Sequence, residues 1–185
     1  LVFSGIHLGT YGRDLQSKTS FLSLVKEVLE ANPRLERLRL SSIEPLEVTP
    51  EIVDLVAGHP RVAHHLHIPL QSGSVRILRE MRPPYTPAQY ARLVQSIRDR
   101  LDDASIGADV MVGFPGETDS DFAETYRLIE RSPLTYLHVF PYSARPGTVA
   151  AEMPNPVPDH VAHFRGKSLR QLIARKNEAF RRRMI

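Results

Sequence analysis

The chain has 185 residues, 42% hydrophobic and 24% charged, the balance of a water-soluble globular protein with one sizeable core. It contains no cysteine, which excludes disulfides, thiolate nucleophiles and cysteine-ligated clusters built from its own side chains. No apolar run approaches the roughly 18 residues of a membrane span and no signal peptide is visible, so the sequence reads as cytoplasmic with no membrane partner.

The net charge of +3 is unevenly spread. Residues 165–183 hold eight basic residues against Glu178 alone, a local net of +7, so the rest of the chain nets −4. A polyanion partner is therefore expected, if anywhere, at the C-terminal segment.

In chain order, short apolar runs alternate with amphipathic stretches, the pattern of repeated βα units. Strands are predicted at 1–4, 38–41, 64–69, 106–112 and 136–140. Between them Phe21, Leu24, Val25, Val28 and Leu29 form one helical stripe behind a Ser20 cap. Thr49-Pro50-Glu51 opens the next helix, with Ile52, Val53, Leu55 and Val56 facing inward. Thr86-Pro87-Ala88-Gln89 repeats that start with glutamine in capping-box position, leading into Tyr90, Leu93, Val94 and Ile97. A further helix carries Phe122, Tyr126 and Ile129. Such alternation predicts a parallel sheet with right-handed crossovers, open or curved into a barrel.

The run Ile106-Gly107-Ala108-Asp109-Val110-Met111-Val112 reads as a strand covered on both faces, and it enters the turn Gly113-Phe114-Pro115-Gly116. Those glycines suit positive φ or close backbone approach, while Thr118 can cap a helix with Asp119 and Asp121 in its first turn. Residues 144–158 are proline-rich and read as a linker, and a final helix is expected over 167–183. Its apolar positions Leu169, Leu172, Ile173, Ala179 and Phe180 form one narrow face, with the basic residues elsewhere. Because the chain opens inside a strand, it is expected to be a fragment.

In parallel α/β folds chemistry gathers at the C-terminal ends of strands. Here those ends carry Ser4-Gly5-Ile6-His7-Leu8-Gly9-Thr10-Tyr11-Gly12, Ser41-Ser42-Ile43-Glu44-Pro45, Leu70-Gln71-Ser72-Gly73-Ser74, Gly113 to Thr118, and Pro141-Tyr142-Ser143-Ala144-Arg145-Pro146-Gly147-Thr148. Every segment offers small hydrogen-bonding residues on a backbone fixed by glycine or proline, which suggests a polar, polyfunctional ligand.

These segments, with His65-Leu66-His67-Ile68-Pro69 before the third and Leu137-His138-Val139-Phe140 before the fifth, resemble in order and spacing the motifs of the radical S-adenosylmethionine methylthiotransferases. Gly5-Ile6-His7 and His138-Val139-Phe140-Pro141-Tyr142-Ser143 are most similar to the branch acting on threonylcarbamoyladenosine beside the tRNA anticodon. The resemblance implies an α/β fold: a partial parallel (βα) barrel of the radical SAM type, strands two to six of six, plus a C-terminal basic helix. It divides the chain into a barrel part, residues 1–150, and a proline-rich linker with basic helix, residues 151–185, leading toward an RNA-binding domain. It implies S-adenosylmethionine and a 4Fe-4S iron–sulfur cluster as cofactors, the cluster ligands being absent from this chain, and tRNA as partner. The fragment alone is then expected to be an inactive piece of a methylthiotransferase.

By position, the resemblance gives Gly5, Ile6 and His7 the methionine amino group; Ser42, Glu44, Gln71 and Ser72 the ribose and amino-acid part; and Asp109, Gly113 and Phe114 the adenine. Tyr142, Ser143 and Arg145 fall near the substrate entrance. No catalytic residue and no metal ligand is assigned. The pattern is broken at Arg82-Pro83-Pro84, where two consecutive basic residues are usual, and at Val75, where an acid or amide would strengthen a helix cap.

His65 and His67 share one strand face and invite a metal reading, but no third ligand appears at sensible spacing, so they read as satisfied barrel histidines. Glu44 reads as positioning ligand and Glu117 as serving a helix start, in preference to an acid/base pair. The basic tail can contact tRNA phosphates or merely be solvated. Two other classes remain open: a cysteine-free homologue that binds S-adenosylmethionine or RNA without chemistry, and a barrel aldolase or hydrolase, for which no strand-end lysine is seen.

Overall fold

The computed structural model describes residues 1–16 and 19–185. Its strands are β1 (Val2–Phe3), β2 (Arg39–Leu40), β3 (His65–His67), β4 (Ser105–Val112) and β5 (Tyr136–Pro141). Its helices are α1 (Phe21–Ala31), α2 (Pro50–Gly58), α3 (Val75–Met81), α4 (Pro87–Arg100), α5 (Asp119–Arg131) and α6 (Asp159–Arg183).

All pairings are parallel, as the strand-helix alternation requires. β1 pairs with β2, and β3, β4 and β5 pair in that order, with His67 opposite Gly107 and Asp109 opposite His138. A bridge from Ser42 to His67, and the Ile43 amide donating to the His67 carbonyl at 3.0 Å, join the two ladders. The strands thus follow one another in chain order, the arrangement of a partial βα barrel.

Local sequence accounts for the helix starts. Ser20, Thr49, Ser74, Thr86 and Thr118 each accept from a backbone amide of the first turn, stabilising each helix by about 1 kcal/mol. Thr86 with Gln89 and Thr118 with Asp121 complete reciprocal capping boxes. The cap of α3 does not suffer from Val75, because the Ser74 hydroxyl accepts from Ile77 and donates to the Asp121 carboxylate at 2.7 Å.

Four expectations need correction. β4 is not covered alike on both faces: Ile106, Ala108, Val110 and Val112 are fully buried in the core, while Asp109 and Met111 lie half-buried on the inner face. Alternation hides this in sequence because Gly107, Asp109 and Met111 are a glycine, an acid and an apolar side chain. On α5 the deepest positions are Asp121, Thr125 and Ile129, and Phe122 and Tyr126 are only half-buried. The polar pair is held inward by Ser72, Gly73, Ser74 and Arg76.

The last helix starts at Asp159, well before the expected 167, because only Pro158 interrupts the helical pattern there. Leu169, Leu172 and Ile173 join the main core, while Ala179 is exposed. Two of its basic residues are not on the solvent face. Arg165 is buried, and Lys176 donates to the carbonyls of Ile129, Glu130 and Ser132 at 2.9, 2.8 and 2.6 Å, closing the C-terminal end of α5. No helix among the described residues is long and apolar enough to cross a membrane.

Candidate functional site

At the C-terminal ends of the strands lies a cleft of about 910 Å³, within the size range of small-molecule sites. His7, Glu44, Gln71, Phe114, Tyr142, Ser143 and Arg145 all line it, so seven sequence-predicted residues converge from five separate segments. Met111, Tyr85, Phe140, Val149 and Met153 add an apolar wall. Arg82 and the prolines after it also line the cleft, so the broken motif there still borders the site.

The backbone around the cleft is held in unusual conformations. His7 and Gln71 have φ of 55° and 64°, left-handed values rare for residues with a Cβ. Gln71 keeps its conformation because its amide donates to Asp109 and its carbonyl accepts from Met111, both at 2.9 Å. Its side chain is thereby turned into the cleft. The His7 carbonyl is taken by the Thr10 amide at 3.0 Å and the Thr10 hydroxyl at 2.8 Å.

Electrostatics and unmet hydrogen bonds point to a polar guest. Burial raises the Glu44 carboxyl above its ordinary value, with His7 opposing and Glu47 and Asp109 adding to the rise. The Tyr142 hydroxyl is buried without a partner among the described residues, an orphan that a ligand could satisfy. The Phe114 and Tyr142 rings meet edge-on with centroids 5.6 Å apart, forming an aromatic corner.

Six predicted residues lie outside the cleft lining. Gly5 and Ile6 are exposed beside it, Ile6 at 92%. Ser42 takes part in the bridge to His67. Ser72 is fully buried, its hydroxyl against Thr125 at 3.3 Å and accepting from the Ser74 amide at 3.2 Å, so it secures α5 rather than facing the cleft. Gly113 has φ 78°, and a Cβ there would lie 2.7 Å from that of Ala162. It is needed for the turn and for the approach of α6. Asp109 lies one rung below Met111 on the inner face.

Glu117 does not serve the helix start by charge. Its carboxylate accepts from the Gly113 amide at 2.7 Å and from Arg165 at 2.7 Å, bracing the turn from within. Burial raises its carboxyl, with the Gly113 amide and Arg165 pulling it back down.

Below the cleft the inner face carries a polar chain that sequence reading missed. Arg39 lies 2.6 Å from His65 Nε2, which lies 2.7 Å from the Tyr136 hydroxyl. The same hydroxyl is 2.9 Å from His67 Nδ1, and His67 Nε2 is 3.1 Å from Asp109. His138 Nδ1 approaches the same Asp109 oxygen at 3.1 Å. Burial and Arg39 bring the His65 pKa down to about 4, which keeps that ring neutral at physiological pH. His65 and His67 do share a face, and the partners that spacing could not reveal come from β4 and β5. The period-two run Tyr136, His138, Phe140 was the available signal. His64 turns away to Asp103 at 2.8 Å.

The Radical SAM superfamily profile matches residues 6–129, more than half of the chain and the whole cleft floor from His7 to Phe114. The chain belongs to the Radical SAM superfamily. It is 42% identical over 171 residues to the threonylcarbamoyladenosine tRNA methylthiotransferase MtaB of Rickettsia prowazekii (strain Madrid E), covering 92% of this chain and 40% of that protein. The MtaB of Thermotoga maritima (strain ATCC 43589 / DSM 3109 / JCM 10099 / NBRC 100826 / MSB8) is 40% identical over 185 residues, 100% of this chain and 42% of its own length. A tRNA-2-methylthio-N(6)-dimethylallyladenosine synthase from Thermobifida fusca (strain YX) is 41% identical over 174 residues, 94% of this chain and 35% of that protein. The chain thus spans roughly two-fifths of the length of these relatives.

Among solved structures, the Radical SAM fold is matched by Methanocaldococcus infernus Elp3 lacking its N-terminus, at TM-score 0.64 and 16% identity over 91% of this chain and 44% of that one. Coproporphyrinogen III oxidase HemN of Escherichia coli, described as a Radical SAM enzyme, matches at TM-score 0.60 and 15% identity over 86% of this chain and 36% of that one. These likenesses concern the fold.

Proposed function

We infer that this chain is the S-adenosylmethionine-binding part of a tRNA methylthiotransferase acting, in the cytoplasm, on threonylcarbamoyladenosine next to the anticodon. The convergence of seven motif residues on one cleft carries this reading. S-adenosylmethionine presents an ammonium, a carboxylate, ribose hydroxyls and an aromatic base. The cleft offers the Glu44 carboxylate for ammonium or hydroxyl groups, Arg145 and His7 for the carboxylate, and the Phe114–Tyr142 corner with Met111 for the base. Gln71, fixed by its left-handed backbone, supplies amide hydrogen bonds.

Bound S-adenosylmethionine would supply, on reduction, the radical chemistry of the family. This chain's residues bind and orient it, keep the aromatic corner closed to water and hold Glu44 half-buried. A 4Fe-4S cluster requires thiolates, and with no cysteine in the chain its ligands lie outside this sequence. On this reading residues 1–150 form the barrel part, while 151–185 close it and present Lys167, Arg170, Arg175 and Arg181 to Arg183 to tRNA phosphates. Asp109, Ser72 and Gly113 hold the strands and turns that carry the cleft.

The threonylcarbamoyladenosine branch is supported by the His138-Val139-Phe140-Pro141-Tyr142-Ser143 motif, since overall identity to the two kinds of relative is nearly equal. Nucleoside mass spectrometry on tRNA from cells lacking the gene tests it. Loss of the 2-methylthio group from threonylcarbamoyladenosine alone is expected. Loss only from dimethylallyladenosine would move the protein to the other branch, and no loss at all would favour binding without chemistry. The cleft itself is tested by calorimetric titration of the chain with S-adenosylmethionine. Saturable binding that weakens in Glu44→Gln and Phe114→Ala is expected, and binding indifferent to both would place the ligand elsewhere.

A further inference from the structure

The polar chain below the cleft ends on a cluster of side chains able to bind a metal ion. Arginine can only donate, so His65 Nε2, 2.6 Å from the Arg39 guanidinium, is an unprotonated acceptor. The Tyr136 hydroxyl lies 2.7 Å from that same nitrogen, so Arg39, His65 and Tyr136 form one connected cluster. The same hydroxyl lies 2.9 Å from His67 Nδ1 and fixes the orientation of that ring. The ring so held directs its Nε2 at the Asp109 carboxylate, 3.1 Å away. A proton or a metal ion can bridge two such atoms.

A third donor is already in place. His138 stands opposite Asp109 in the β4–β5 register, with Nδ1 3.1 Å from the same oxygen. The three donor atoms lie within 4.8 Å of one another. Metal bonds of about 2.1 Å set neighbouring donors about 3.0–3.4 Å apart, so both measured edges fit a shared ion. Gly107 makes the arrangement possible: a Cβ there would fall 1.9 Å from Tyr136 Cζ and expel the ring that orients His67.

We propose that His67 Nε2, His138 Nδ1 and an Asp109 carboxylate oxygen bind one divalent first-row transition ion on the inner face of the sheet. Two imidazoles and one carboxylate suit zinc or ferrous iron and disfavour magnesium or calcium. The side chains of Asp109 and His138 are 29% and 58% exposed, which leaves coordination positions open to a water or a ligand entering from the inner face. Tyr136 is the outer partner that fixes the His67 ring, the orienting role that a ligating histidine needs filled. None of the three donors is among the residues that line the cleft.

The test is titration of the chelator-treated chain with Co²⁺, followed by visible d–d absorption and by competition with Zn²⁺. The absence of cysteine leaves no thiolate to compete. One equivalent is expected to bind, to be displaced by Zn²⁺, and to be lost in His67→Gln, His138→Gln and Asp109→Asn. Tyr136→Phe keeps all three donors and should weaken binding about 10- to 100-fold. His160→Gln/His163→Gln, on the surface of α6, should leave the signal intact. Circular dichroism of each variant separates loss of ligand from loss of fold, and paramagnetic shifts of two histidine ring signals report the same site without substitution. Binding that survives Asp109→Asn and His67→Gln, or that disappears only with the α6 histidines, overturns the proposal. So does the absence of saturable Co²⁺ binding by the unsubstituted chain.

Discussion

Arg165 Nη1 lies 2.7 Å from the Glu117 carboxylate, and both side chains are almost entirely buried. Arg165 comes from α6 and Glu117 from the turn after β4, so the pair ties the last helix to the floor of the cleft. Arg165 also donates to Asp119 at 2.7 Å and to the Glu117 carbonyl at 3.1 Å. Removing one partner of such a pair leaves a buried charge uncompensated. Arg165→Met is therefore expected to destabilise the fold by about 3–5 kcal/mol in urea denaturation. Adding Glu117→Gln, which keeps an acceptor for the Gly113 amide, should recover part of that loss. The Glu117 carboxyl is already raised by burial, so folding favours its proton and its contribution to stability falls as pH rises. Loss of Arg165 raises it further, and the single variant should be closer to the parent at pH 5 than at pH 8. An Arg165→Met chain as stable as the parent would show that α6 is held by its apolar face alone.

Gly113→Ala tests the turn. With φ 78° and a Cβ position 2.7 Å from Ala162 Cβ, it meets both backbone strain and a clash with α6. A loss of about 2 kcal/mol or more is expected, appearing as a lowered melting temperature. Ala162→Gly in the same chain removes the clash but not the strain, so only partial recovery should follow.

Acid sensitivity is assigned to Asp121. Burial opposes its ionisation, but hydrogen bonds from Arg76, Thr118 and Ser74 outweigh this and hold the carboxyl well below its usual value. A carboxylate depressed in the fold stabilises it above the unfolded value near about 4 and loses that effect as pH falls toward the folded one. Unfolding free energy should thus drop on acidification below about pH 5, and Asp121→Asn should flatten that part of the curve while lowering stability at pH 7. Parallel curves for the two chains would assign the acid response elsewhere.

The basic end of α6 should act through phosphates. Reversing Arg181, Arg182 and Arg183 to glutamate in the protein is expected to weaken tRNA binding and to reduce the slope of log affinity against log salt by about one for each phosphate left without its arginine. An unchanged slope removes this end of α6 from the interface. Arg165 and Lys176 contribute nothing to such a slope, because one is buried in an ion pair and the other caps α5.

Much of the architecture was legible because it is written in local physics. Apolar periodicity located β1 to β5, the helices α1, α2, α4 and α5 and the second half of α6, and Ser20, Thr49, Thr86 and Thr118 marked helix starts by side-chain chemistry that needs no distant partner. The cleft residues were legible for a similar reason: strand ends in parallel α/β folds point to one side, so His7, Glu44, Gln71, Phe114 and Tyr142 had to gather there.

The sequence by itself determined the alternation of strand and helix, the side on which the strand-end residues gather and the absence of any thiolate. Only the tertiary structure decided which polar residues are inside. Register across β3, β4 and β5 places His67, Asp109 and His138 together, and a one-residue slip would send each to the opposite face. Packing of α6 decided that Arg165 pairs with Glu117 rather than with solvent, and that of α5 decided that Ser72 faces Thr125 rather than the cleft. Those pairings join residues 26 to 71 positions apart along the polar chain and 48 apart in the ion pair, where no periodicity of a single element can reach.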